Sequence, residues 1–440
     1  MIDDAAQNPD AKNELPPPGG EGWQTTNSHP AKPDSQVSEA GRVLAAGFDT
    51  LNVAIDLRWH QCEFFNYLHS IKEQALGQEV ALQGNVDVNG FQWIFNVEPY
   101  GMRGYAYILR NSDYLIKLGA WTEPKSRPSA LVEVRSQALW ACGEADCIDQ
   151  VVQLLNAVGA TIIAIKASRV DACVDILVPN SVWNSTLRHH RVCRSHALRT
   201  HEVQDRLTGF EIGSGGIRAR LYDKAEEIKV KSNKTWMYDI WKLESVPPHA
   251  TVVRVEFQLR REVLRELGID SVWDLLNHPR NVWTYCTRDW LKFMNDPKLH
   301  FDNREVMPWW KSVQDGFHAS EHDQPLLRAK IVQVEKKKLA QQFVGQFSSL
   351  IALDCNTNTP RVRLEEQLPR LSEAAELLGV DDDVLSYRVE RKVAKYKRGI
   401  RRFCAMQEQR KALGFPHLKT KSIRFKLADT EEEVADVQGA

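Results

Sequence analysis

The chain has 440 residues, of which 43% are hydrophobic, and its 57 Lys and Arg residues nearly balance 58 Asp and Glu residues. This composition indicates a globular protein with a large core, divided into two or three structural units. No run approaches the roughly 18 to 20 apolar residues of a membrane helix, and the polar start MIDDAAQNPD lacks the apolar stretch of a signal peptide. We therefore expect a cytoplasmic protein with no membrane partner, and its eight scattered cysteines are typical of reduced thiols.

The formal net charge of −1 is unevenly distributed. Residues 1–42 are acidic and contain PPPGG with few large apolar side chains, which predicts a disordered arm. Residues 427–440 form an acidic tail, and basic stretches lie between the two ends. A net charge near zero therefore does not exclude nucleic acid, which is bound through Lys and Arg.

The elements expected between the two ends divide the chain into an α+β part and a helical part. Segments such as LNVAIDL, FQWIFNV and GYAYILR predict strands from near Phe48 to about Val134, with one helix around 59–76. CIDQVVQLLNAVGA predicts a helix that ends at Gly159. Strand segments follow around 161–178, 208–224 and 251–260, with a polar helical stretch between the first two, and helical spacing then continues to about residue 413. We expect an antiparallel-sheet domain with helices on one face (43–290), followed by a largely helical domain (291–426).

Three of the predicted strands alternate between apolar and charged residues, so each has one charged face. The charged positions are Arg169, Asp171 and Asp175 in the first strand, Arg218, Arg220, Tyr222 and Lys224 in the second, and Arg254, Glu256, Gln258 and Arg260 in the third. Val132–Arg135 repeats the pattern and predicts a fourth strand. Pairing of these strands in one sheet would bring the charged side chains together.

Clustered carboxylates repel one another unless a cation lies between them, which favours a hard divalent ion such as Mg²⁺ or Mn²⁺. A phenol that attacks phosphorus needs such a metal, and it needs cations that neutralise the developing charge. Tyr222 with Arg220 and Lys224 meets this need on one strand face. The alternative is an ordinary half-exposed sheet whose cross-strand ion pairs contribute only about 0.2–1 kcal/mol each.

The succession RVDACVDI, IRARLYDKAEE and RVEFQLRRE resembles the replication initiation factor (Rep-trans) family of rolling-circle plasmids, filamentous phages and integrative elements, over about residues 48–290. The resemblance implies a DNA-nicking and closing enzyme whose tyrosine, here Tyr222, becomes joined to the 5′ phosphate of the cut strand. It implies a Mg²⁺ or Mn²⁺ site at Asp171, Asp175 and Glu256, with Arg220 and Lys224 as phosphate neighbours. Arg218, Arg254 and Arg260 on the same face are expected to contact DNA.

The same resemblance implies double-stranded origin DNA and single-stranded DNA as substrates, and a host helicase and polymerase as partners. Assembly into a homodimer is also compatible with the sequence. Two alternatives also stay open at this point: a relaxase of a conjugative or integrative element with the same chemistry, and a non-enzymatic DNA-binding regulator.

The C-terminal part contains a candidate reader of the origin sequence. LSEAAELLGVDDDVLSYRVERK places Ala375, Gly379 and Leu385 at helix-turn-helix spacing, although Asp381 to Asp383 either repel DNA there or cap the second helix. Residues 388–411 follow with ten Lys or Arg and two Glu, a net charge of +8. Such a helix can neutralise phosphates, although a solvated basic face is the simpler interpretation. The residues expected to bind DNA are Arg391, Lys392, Lys395, Arg398, Arg401 and Arg402.

Overall fold

A computed structural model describes residues 38–204, 206–300, 303–318, 323–329, 336–353, 363–416 and 418. Residues 1–37 of the predicted arm and the acidic tail at 427–440 lie outside the described residues. The chain divides into one unit that ends at Leu326 and a second that begins at Leu327. Residues 291–326 therefore belong with the N-terminal unit, whereas the predicted boundary lies after residue 290.

The first unit is built on an eleven-stranded antiparallel sheet with the order β2-β3-β4-β5-β6-β1-β7-β12-β11-β10-β9, and β8 and β13 form a separate pair. The strands are β1 (Arg42–Trp59), β2 (Leu82–Val88), β3 (Phe91–Val97), β4 (Tyr107–Arg110), β5 (Tyr114–Leu118), β6 (Ala130–Val134), β7 (Ala160–Pro179), β8 (Arg191–Cys193), β9 (Leu198–Val203), β10 (Arg206–Ile212), β11 (Ile217–Asp223), β12 (Ala250–Arg260) and β13 (Leu291–Phe293).

Helices of the first unit are mostly short. They are α1 (Glu63–Gln78), α2 (Ser136–Cys142), α3 (Glu144–Ala157), α4 (Leu187–His190), α5 (Lys224–Glu227), α6 (Met237–Trp241), α7 (Arg261–Glu266), α8 (Val272–Asn277), α9 (Pro279–Thr284) and α10 (Pro308–Gln314), with π-helical segments at Ile228–Ser232 and Tyr285–Trp290 and a 3₁₀ turn at Gly316–His318. The second unit contains α11 (Lys336–Leu353), α12 (Leu364–Gln367), α13 (Pro369–Leu377) and α14 (Asp382–Ala412). This arrangement confirms the predicted α+β fold with a helical C-terminal region. Within the described ranges, no helix has the length and hydrophobicity needed to cross a membrane.

The two longest strands, β1 and β7, lie side by side at the centre of the sheet. β1 begins at Arg42, six residues before the predicted start at Phe48, and its residues Leu44 and Ala45 are buried. The predicted fourth strand is β6, which pairs with β1. The short strands β8 and β9 occupy part of the segment that was expected to be helical between the first two predicted strands.

The two faces of the central strands are covered to different extents. On the apolar face, Phe257 of β12 contacts the rings of Trp283 in α9 and Trp290 at centroid distances of 5.4 and 6.1 Å. On the charged face, the segment from α5 to α6 covers one end of β7 and packs Met237 and Trp241 into a cluster with Cys173. Helices were predicted on one face, and this short segment adds cover to part of the other.

In the second unit, α13 and α14 are joined by a turn in which Gly379 has a φ of +61°. The Asp381 carboxylate accepts a hydrogen bond from the Val384 backbone N–H at 2.7 Å, so this acidic residue caps α14. The six predicted DNA-binding side chains of α14 are all exposed. Arg410 near the helix end differs, because it is buried and lies over the Phe415 ring.

Candidate functional site

The register of β7, β12 and β11 brings the predicted site residues into three adjacent rows on one face. From β11 through β12 to β7, the rows are Tyr222, Arg254 and Asp175; Arg220, Glu256 and Cys173; and Arg218, Gln258 and Asp171. Neighbouring strands lie roughly 4.8 Å apart, so side chains within a row are in reach of one another. Here the three separate segments identified in the sequence form one surface.

Glu256 is the central residue of this surface. Its Oε2 accepts a hydrogen bond from the Tyr222 hydroxyl at 3.2 Å, and its Oε1 accepts one from Arg220 Nη1 at 2.8 Å. Glu256 is only 3% exposed, whereas Tyr222 and Arg220 are half-buried. The Glu256 carboxylate therefore lies between the phenol of Tyr222 and the guanidinium of Arg220 and is hydrogen-bonded to both.

Burial controls the acid–base properties of this pair. It raises the pKa of Glu256 to about 7, assisted by repulsion from Asp49 and Asp171 and opposed by Arg220 and Arg254. Burial, assisted by the nearby Glu256 charge, also raises the pKa of the Tyr222 phenol well above its ordinary value. The phenol is therefore protonated at neutral pH, and a nucleophilic role needs a proton acceptor. The Glu256 carboxylate accepts the hydrogen bond of the Tyr222 hydroxyl and is therefore positioned to take its proton.

Asp171 lies in the next row and is held by an arginine of its own strand. Arg169 donates from both Nε and Nη2 to the two carboxylate oxygens, the first at 2.8 Å. Burial raises the pKa of Asp171 although Arg169 opposes the shift. The Gln258 amide lies between Arg169 and Arg220, and its oxygen accepts a hydrogen bond from Arg169 Nη2 at 2.7 Å.

In the row that begins with Tyr222, the two members on β12 and β7 are closed from above, whereas Tyr222 is half-buried. Asp175 is fully buried, and its oxygens accept from Arg254 Nε at 2.6 Å, from Arg254 Nη2 at 2.7 Å and from the Trp241 indole at 2.8 Å. Arg254 is also fully buried, and its Nη1 donates to Asp49 at 2.6 Å. Asp175 and Arg254 are thus fully buried and bound to protein partners, and the roles predicted for them, metal ligand and DNA contact, stay predictions.

Asp49 belongs to the site but was missed in the sequence. It lies at an irregularity in β1, where the pairing with β7 shifts between Phe48 and Thr50. Burial alone would raise the pKa of Asp49, but attraction to Arg254, Lys234 and Lys224 outweighs it and lowers the pKa. Alternation cannot place a residue at such a bulge, because the extra residue breaks the period of two.

Lys224 lies beside the phenol but is not part of the strand. β11 ends at Asp223, whose carboxylate accepts from the Glu226 backbone N–H and caps α5, so Lys224 is the first residue of that helix. Lys224 Nζ lies 5.7 Å from the centre of the Tyr222 ring and 2.7 Å from Glu227 Oε2. Burial, assisted by repulsion from Arg254, lowers its pKa. Lys224 therefore lies beside Tyr222 as predicted, but it does so from the first turn of α5 and not from strand β11.

The remaining predicted contacts with DNA differ in accessibility. Arg218 is half-buried and forms an ion pair with Glu211 at 3.0 Å. Arg260 is exposed at the end of β12. Among the described residues, no three His, Cys, Asp or Glu side chains are grouped so that they could hold a metal ion. Asp171 and Glu256, which are 2% and 3% exposed, remain as a pair of carboxylates beneath the half-buried side chains of Arg169, Arg220 and Tyr222.

Comparison with known proteins finds no matching family model, no matching curated protein and no matching solved structure.

Proposed function

We propose that this protein is a rolling-circle DNA replication initiator that cuts one strand with the Tyr222 hydroxyl. The observation that carries the proposal is the hydrogen bond from the Tyr222 hydroxyl to Glu256 Oε2, on a surface where Arg220 binds the other oxygen of the same carboxylate. A protonated nucleophile, a proton acceptor with a pKa near neutrality and an adjacent cation are the groups that this chemistry needs.

In the proposed reaction, the Tyr222 oxygen attacks the scissile phosphorus and its proton passes to Glu256. The bond from phosphorus to the 3′ oxygen breaks, which leaves a phosphotyrosine on the 5′ side and a 3′ hydroxyl after protonation. Attack by a 3′ hydroxyl on the phosphotyrosine reverses these steps and rejoins the strand. Arg220 is half-buried at the surface, where it can neutralise charge on the phosphate oxygens.

We also propose a divalent cation, Mg²⁺ or Mn²⁺, with two protein ligands. Asp171 and Glu256 would hold it, since both provide the hard oxygen donors that Mg²⁺ prefers and a carboxylate can accept several bonds. Mg²⁺ commonly takes only one or two carboxylates and completes its shell with water and substrate phosphate. When bound, the metal would polarise the scissile phosphate.

The second unit supports the proposal because it can contribute affinity for DNA. The exposed basic side chains of α14 can neutralise backbone phosphates of origin DNA, and α13 and α14 offer a candidate reader of its sequence. The free 3′ hydroxyl would prime a host polymerase, with a host helicase opening the duplex. We place this activity in the cytoplasm.

The test is to incubate the protein with supercoiled DNA that carries its own gene region. The wild type should give nicked circles with protein joined to the 5′ end at Tyr222, and Tyr222→Phe should bind the DNA normally but form no adduct. Tyr100→Phe is the control, because Tyr100 is an exposed tyrosine and should leave nicking unchanged. Removal of divalent metal by a chelator should stop nicking while binding persists.

Unchanged nicking by Tyr222→Phe would overturn the proposal, and DNA binding without any nicking by the wild type would favour a regulator. The mapped cut separates the other alternative, since a cut at a transfer origin indicates a relaxase and a cut at a replication origin indicates an initiator.

A further inference from the structure

An open groove lies on the charged face of the sheet, next to Arg169. It has a volume of about 840 Å³ and is lined by β5, β6, β1, β7 and the start of α7. The strand register connects it to the proposed site, because Glu133 pairs with Asn52, Asn52 with Arg169, and Arg169 with Arg260. The groove spans the five strands from β5 to β12, a width of about 19 Å at roughly 4.8 Å per strand.

Positive charge predominates in the groove. Its basic residues are Arg103, Lys117, Arg169, Arg260, Arg261 and Arg265, against two acidic residues, Glu133 and Glu262. Three of the six cations are paired: Arg169 with Asp171, and Arg261 and Arg265 with Asp270. Arg103, Lys117 and Arg260 form no side-chain hydrogen bond or ion pair with another described residue.

This lack of compensation distinguishes the groove from the rest of the same face. Arg254, Arg220 and Arg218 each form an ion pair with a carboxylate of this sheet. Unpaired cations around a concavity attract anions, and low-dielectric walls concentrate that field. The groove therefore has the electrostatic character of a polyanion site.

The walls between the cations indicate which part of a polyanion fits. The uncharged lining includes Val53, Leu115, Leu131 and Val132, and none of the described residues that line the groove is aromatic. Bases of a single strand are usually held by stacking on aromatic rings, so this groove suits the sugar–phosphate backbone rather than the bases. A basic concave channel follows a single strand, whereas a duplex is read by elements that project into its grooves.

We propose that this groove binds the backbone of an unpaired nucleic-acid strand through Arg103, Lys117 and Arg260. The inference goes beyond the proposed cleavage, because binding does not require the Tyr222 hydroxyl. A nucleic-acid strand bound in the groove would run along the charged face toward Asp171, which Arg169 contacts.

The test uses the full chain with Tyr222→Phe, so that cutting does not interfere, and measures its affinity for a labelled single-stranded oligonucleotide across a range of salt concentrations. Each phosphate contact on a single strand contributes about 0.7 to the slope of log K against log salt. Lys117→Gln and Arg260→Gln should each reduce the slope by about 0.7 and weaken binding. Lys311→Gln in α10 and Arg280→Gln in α9 are matched controls, because both are exposed cations on helices that cover the opposite face, and they should leave the slope unchanged.

Unchanged slopes for both groove variants would overturn the inference, as would an equal loss of duplex affinity. A second measurement separates the groove from the basic helix α14. A strand that carries an azidophenacyl photo-crosslinker on a backbone phosphorothioate should join to peptides containing residues 103–117 or 260, and crosslinks confined to α14 would overturn the inference. Because all of these measurements concern binding, failure of the groove is distinguishable from failure of the proposed nicking.

Discussion

The two ends of the charged face have the same sequence pattern and opposite surroundings. At the closed end, Asp175 and Arg254 are fully buried beneath Trp241 of α6. At the open end, the buried Glu256 accepts a hydrogen bond from the half-buried Tyr222. Charged residues alternate in the same way through both ends, so alternation shows which face a side chain belongs to and does not show whether water or DNA can reach it.

This difference separates two uses of buried charge. At the closed end, each carboxylate oxygen of Asp175 meets a nitrogen donor, and such a satisfied network holds the strands and α6 together. At the open end, burial raises the pKa of Glu256 to about 7, and repulsion from Asp49 and Asp171 adds to the shift. Buried ionisable groups with strongly shifted pKa values are typical of catalytic or binding sites.

The largest effect on stability is expected at the closed end. Arg254→Met leaves Asp175 and Asp49 buried without their main partner, which should cost about 3–5 kcal/mol of the free energy of unfolding. Urea denaturation monitored by tryptophan fluorescence measures this loss. A loss below about 1 kcal/mol would show that the network is as accessible to water as an exposed ion pair.

A medium effect with a characteristic pH dependence is expected at the open end. The pKa of Glu256 is raised to about 7 in the fold, so between about 4.5 and 7 the folded chain retains a proton that the unfolded chain has released. Stability supplied by this protonated form is full below about pH 4.5 and is lost as the pH rises through about 7. Glu256→Gln avoids the loss and should be more stable than the wild type above pH 7, by roughly 3 kcal/mol, with little difference near pH 4. Denaturation curves at a series of pH values test this, and parallel pH profiles for the two proteins would contradict it.

The smallest effect on the free energy of unfolding is expected at Arg218, which serves as a control for Arg254. Its partner Glu211 is on β10 and both side chains are partly exposed, so the ion pair is screened by water. Arg218→Met should change the free energy of unfolding by less than about 1 kcal/mol in the same urea experiment. A change as large as that of Arg254→Met would remove the distinction between the two ends.

Much of the site followed from local pattern. The parity of Asp171, Glu256 and Tyr222 predicted a common face, and the register of β7, β12 and β11 brings them onto it. Asp49 escaped because a bulge in β1 breaks the alternation there. Lys117 and Arg103 of the groove also escaped, since they lie on segments far from the motif in sequence and reach the site only through the strand order β5-β6-β1-β7.

The sequence by itself determined the α+β class and the face on which each strand residue lies, because both depend on backbone periods that neighbouring residues impose. Tertiary structure alone decided that Asp175 and Arg254 are fully buried beneath Trp241 while Glu256 lies beside the half-buried phenol of Tyr222. The physical reason is that burial depends on distant segments: Trp241, which covers Asp175, lies 66 residues away in the chain, and no local period specifies where such a segment packs.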